Sequence, residues 1–138
     1  DKITPEAIEY NYPMMFSDDT LEIFAYNLET ILAEKLETVI SRGDQNTRPR
    51  DYYDIFILSK LKGHEIDRDT LHKALSETAQ KRNSGDLIPQ YHSIMGQIVK
   101  SSAMQQHWKT YQRDYEYARE VEFSSACETI IKIMDSLR

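Results

Sequence analysis

The chain has 138 residues, of which 40% are hydrophobic and 29% charged, and a formal net charge of −6. That is one domain's worth of chain, long enough to bury a core, and its composition excludes intrinsic disorder. The acidic balance argues against broad, non-specific attraction to nucleic acid, although a local basic patch can override an average. There is no run of about 18 apolar residues that could span a membrane. A lone cysteine, Cys127, cannot form an internal disulfide and fits a cytoplasmic setting. No signal peptide or internal repeat is visible.

The first 26 residues read as a β-hairpin. Ile8, Tyr10, Tyr12, Met14 and Phe16 alternate as in a strand, and Pro13 favours an edge or the end of pairing. Ser17 to Thr20 is turn material, and Leu21 to Tyr26 is a second short apolar run. Two strands alone are marginal, so they are expected to extend an upstream sheet. The open edge could pair with a second copy and give a homodimer.

From residue 27 the chain reads as helical to its end. Asn27 suits a cap, and Leu28, Ile31, Leu32, Leu36, Val39 and Ile40 form the apolar stripe of a core-facing helix that Gly43 terminates. A polar loop over 44–48 follows, with Thr47 as the expected cap of the next helix and Pro49 in its first turn. That helix carries apolar residues all round and ends at Gly63. A third helix is expected over 66–82, capped by Asp67 or Asp69 and packed through Leu71, Ala74, Leu75 and Thr78. Residues 83–88 read as a loop, followed by helices over 89–100 and 102–117. Met104, Trp108 and Tyr111 recur at core spacing rather than as a platform for bases. The last helix is expected to start near Ser125, where Ser125-x-x-Glu128 fits a capping box, with Phe123, Ile130, Met134 and Leu137 as its apolar face. The fold class is therefore mainly α (α+β): one domain, with a small N-terminal hairpin over 1–26 and a bundle of five or six helices over 27–138.

One group breaks the apolar pattern. Lys35 falls within the stripe of the first helix, where an unpaired ammonium would be very costly to bury. The next helix offers partners, because Asp51 and Asp54 are three residues apart and share a face. Arg42, Arg48 and Arg50 add three guanidinium groups, which suit phosphate or can simply pair with the neighbouring carboxylates. Aspartates in a first turn also complement the helix dipole, so a purely structural Lys–Asp pair stays open. His64 and His72 have no partner at ligand spacing and read as surface residues.

The stretch LAEKLETVISR followed by RPRDYYDIFIL resembles the third and fourth motifs of the AbiEii/AbiGii abortive-infection toxin family of nucleotidyltransferases. In that family a helical lysine is followed by an R-D-x-x-D helix, here Lys35 and Arg50-Asp51-Tyr52-Tyr53-Asp54. The likeness runs on through Arg82, through Trp108 and Tyr111 and into a last amphipathic helix.

The resemblance implies transfer of nucleotides from an NTP, with Mg²⁺, onto RNA, tRNA acceptor ends being one target class. It also implies a cognate antitoxin of the same operon as partner, within a phage-defence toxin–antitoxin system. Lys35 would contact the triphosphate, and Asp54 or Asp51 would orient the lysine or touch the nucleotide; Arg42, Arg48 and Arg50 are phosphate-binding candidates on their clustering alone. The family's upstream Gly-Ser motif and its metal-binding Asp-x-Asp/Glu pair have no counterpart here. There is no Gly before Gly43, no Gly-Ser dipeptide, and the sequence begins at Asp1. The expectation is therefore a C-terminal portion of a longer toxin, itself inactive and with no cofactor bound. The competing readings are a non-catalytic helical interaction module and a degenerate nucleotidyltransferase.

Overall fold

The computed structural model describes residues 28–138, and among these the chain is almost entirely helical. The expected hairpin, its open edge and the Asn27 cap lie outside the described residues. Six α-helices follow one another: α1 (Leu28–Arg42), α2 (Pro49–Lys62), α3 (Arg68–Lys81), α4 (Tyr91–Lys100), α5 (Ser102–Asp114) and α6 (Phe123–Ser136). Single 3₁₀ turns stand between most of them, at Gly43–Gln45, Gly63–Glu65, Ile88–Gln90 and Glu116–Ala118. α1 packs along α3, α2 packs on α6, and α1 and α2 touch each other.

The stripe on α1 is inward as its spacing dictates, with Leu32, Leu36 and Val39 fully buried. α2 is the central helix. Tyr52, Ile55 and Leu58 are buried, and Phe56, Ile57 and Leu61 pack partly against the core. The aromatic residues of α5 and α6 hold it. Phe123 lies 5.3 Å from Tyr52 and 5.7 Å from Trp108, ring centre to ring centre. The Trp108 indole N–H donates to the Val121 carbonyl at 2.9 Å, so its polar edge is satisfied inside the core. Met104, Trp108 and Tyr111 are core residues, as their spacing predicts.

Helix caps depart from the sequence reading in two places. Thr47 does not cap α2. It is exposed, while the buried Asn46 accepts from the Arg48 backbone N–H at 2.8 Å and Pro49 takes the first helical position. The capping box at Ser125 does not form either. α6 begins at Phe123, and Ser125 lies inside it, its carbonyl accepting from the Thr129 hydroxyl. Burial of the Phe123 ring is worth about 1.5–3 kcal/mol, against about 1 kcal/mol for a side-chain cap, so packing sets the start of the helix. α3 does use one of its two expected caps, with Asp67 accepting from Thr70 N–H at 3.0 Å.

The end of α3 is more ordered than a loop reading suggests. Asn83 takes a left-handed backbone conformation (φ 59°), Ser84 N–H donates to Ala79 O at 2.8 Å, and Asn83 N–H donates to Gln80 O at 3.3 Å. This is the paired closure of a Schellman motif, with Asn where Gly is more usual. It turns Ser84 back into the protein, where it is buried.

Cys127 is fully buried on α6, and burial pushes its thiol pKa up to about 12. A thiol so protected is expected to be inert in the folded chain. Titration with a thiol-specific disulfide reagent at pH 8 should release no chromophore until denaturant is added; prompt native labelling would contradict this placement.

Candidate functional site

The geometry around Lys35 follows from the pairing of α1 with α2. Lys35 is largely buried along its side chain while its ammonium reaches the first two turns of α2. Its Nζ lies 3.0 Å from Asp54 Oδ2 and 3.6 Å from Asp51 Oδ1. The Lys35 side chain is 17% exposed, that of Asp54 0% and that of Asp51 4%. An acidic floor therefore carries an ammonium that still touches solvent.

Two guanidiniums close the rim. Arg50 Nε is 3.5 Å from Asp54 Oδ2, and Arg48 Nε is 3.8 Å from Asp51 Oδ2, at helical spacings of four and three residues. These are long ion pairs on exposed side chains, 39% for Arg50 and 58% for Arg48. They steady the carboxylates. Among the described residues, three cations face two carboxylates in a chain that is acidic as a whole.

Burial raises the pKa of Asp54 above the ordinary carboxylate value, and the nearby Asp51 adds to the effect. Lys35 and Arg50 oppose it. One Asp54 oxygen is held by Lys35, and the other, Oδ1, has no hydrogen-bond donor among the described residues. A buried carboxylate oxygen with unused accepting capacity is uncommon, and each instance calls for an explanation. Tyr111 and Tyr117 stand beside this corner with their hydroxyls 2.9 Å apart, close enough for the charges of Asp54 and Arg50 to act on both. Burial pushes both phenols upward, so they remain neutral donors.

Arg42 does not join this ring. It precedes a left-handed turn at Gly43 (φ 56°) and forms no ion pair among the described residues. It lines a neighbouring polar cleft of about 450 Å³ together with Arg48 and Arg82. The floor of that cleft is a residue the sequence reading passed over. Glu37 is 2% exposed, and its carboxylate accepts from Arg82 Nη1 at 2.6 Å and from the Ser84 hydroxyl at 2.8 Å. A signal was present, because Ala33, Glu37 and Ile40 share one helical face and the two apolar members are buried.

His64 and His72 are exposed, as expected. Among the described residues no group of three or more His, Cys, Asp or Glu could hold a metal ion. Asp51 and Asp54 are already neutralised by cations, so they do not fit the Mg²⁺ that nucleotidyl transfer implies.

A lysine fixed by two acids from the following helix, with two arginines at its rim, is thus the charged cluster that these elements assemble. The family described as the nucleotidyl transferase AbiEii toxin of type IV toxin–antitoxin systems matches residues 1–129, and the chain belongs to that family. Comparison with curated proteins gave no match, and neither did comparison with solved structures. No helix among the described residues is long and apolar enough to cross a membrane.

Proposed function

We propose that the Lys35–Asp51–Asp54 cluster serves transfer of a nucleotide from an NTP to RNA, with tRNA as the first acceptor to try. The observation that carries this reading is the Lys35 ammonium, held at 3.0 Å by a fully buried aspartate while still open to solvent. In such a transfer the acceptor hydroxyl gives up its proton to water as its oxygen forms a bond to the α-phosphorus, the α–β phosphoanhydride bond breaks and pyrophosphate leaves. The leaving group gathers negative charge, and a cation already in place stabilises that charge without reorganising. Lys35 takes this role, Asp54 fixes its position, Asp51 shares its charge, and Arg48 and Arg50 reach the outer phosphates. We assign no Mg²⁺ ligand among residues 28–138. The partner that restrains the activity is the antitoxin that a type IV system provides.

The test is transfer of radiolabel from each of the four NTPs, with Mg²⁺, to total tRNA by the full-length protein. Label should appear in tRNA from at least one NTP. Absence of transfer from all four, with protein that is folded and toxic in cells, rules the reading out.

A further inference from the structure

We infer that the cleft beside the lysine site binds a phosphate of the RNA strand that receives the nucleotide. This rests on the nucleotidyl-transfer reading and adds a second subsite to it. Three guanidiniums, from Arg42, Arg48 and Arg82, line a cleft of about 450 Å³ whose one carboxylate, Glu37, is buried. Both oxygens of Glu37 are taken, one by Arg82 and one by Ser84, and Thr38 Oγ1 lies 3.2 Å from the same Arg82 nitrogen. Arg82 is thereby fixed in place with its side chain still 45% exposed. A guanidinium positioned before binding loses less freedom when it grips an oxyanion. Arg42 brings a charge with no ion-pair partner among the described residues.

The choice of RNA over a second nucleotide follows from how the two sites are joined. Arg48 belongs to both: it pairs with Asp51 at the lysine site and lines the cleft. Two cationic sites that share an arginine match a ligand carrying phosphates in a row. A single triphosphate is satisfied at the first site alone. The cations gathered along this path stand against a net charge of −6 for the whole chain, so the gathering is local.

The experiment is filter binding of end-labelled total tRNA to the full-length protein across a salt series, with ATP binding measured in parallel by calorimetry. Arg42→Ala and Thr38→Glu both act at the cleft without removing a partner of Glu37. Each should weaken tRNA binding by roughly 3- to 10-fold at low salt, and Arg42→Ala should lower the slope of log affinity against log salt by about 0.7–1. ATP affinity should stay at the wild-type value. Unchanged tRNA affinity and slope in both variants overturn the inference, and so does a loss of ATP affinity in place of tRNA affinity. Weakened antitoxin binding with tRNA binding intact would assign the cleft to the protein partner and overturn it as well. Binding that depends on Arg42 in a protein that transfers no nucleotide would uphold this subsite while removing the reading it was attached to.

Discussion

Lys35→Met in the full-length protein is expected to lower nucleotide transfer by at least roughly 10²–10³-fold, the usual effect of deleting one preorganised charge-stabilising group. Methionine keeps the length and apolar stem of the side chain, so little packing is lost. The ammonium does not, and two acids that are nearly or fully buried lose the cation between them. Removing one partner of a buried pair costs about 3–5 kcal/mol, so loss of activity alone could be loss of fold. The double variant Lys35→Met with Asp54→Asn separates the two. It removes the uncompensated charge together with the cation, so it should regain most of the thermal stability and stay inactive. A folded double variant that still labels tRNA at the wild-type rate would sink the assignment.

The second large effect concerns pH. A carboxyl whose pKa is higher in the folded chain than in the unfolded one holds its proton more tightly when folded. Ionising it therefore draws stability down as pH rises from the ordinary aspartate value, about 3.9, through the raised folded value. Asp54 is such a group, because burial outweighs the pull of Lys35 and Arg50. Asp54→Asn cannot ionise, so its melting temperature relative to the wild type should rise between pH 4 and pH 7. About 1 kcal/mol moves the midpoint of a domain of this size by a few degrees, well within the reach of differential scanning fluorimetry. A gap that narrows with rising pH would mean that Asp54 is better stabilised as an anion when folded than when unfolded. The variant is also expected to lose transfer activity, making Asp54 a residue that costs stability at neutral pH and is needed for function.

How much of this was legible beforehand depends on which force fixes each residue. Lys35 and the two aspartates could be paired from spacing because helical periodicity is local, and because an ammonium inside an apolar stripe has few stable options. The roles of the three came from the family resemblance, which periodicity cannot supply. Ser125 and Thr47 misled because a capping signature is worth less than burying Phe123 or engaging Asn46, and those contacts are made across the fold. Glu37 was passed over because its partners, Arg82 and Ser84, lie 45 and 47 residues away and reach it only through the left-handed turn at Asn83. Arg42 is grouped with Arg48 and Arg50 by nearness in sequence, yet it pairs with neither Asp51 nor Asp54 and shares only the neighbouring cleft with Arg48.

The clasp of Phe123 on Tyr52 and Trp108 also bears on timing. Asp51 and Asp54 ride on α2, and α2 gains much of its support from α6, whose residues are translated some seventy positions later. A ribosome adding about 5–20 residues per second needs several seconds to cover that distance. Throughout that interval the nascent chain has the acids and the lysine without the scaffold that aligns them. Alignment of Lys35 with Asp51 and Asp54 is thus expected only once synthesis has passed α6.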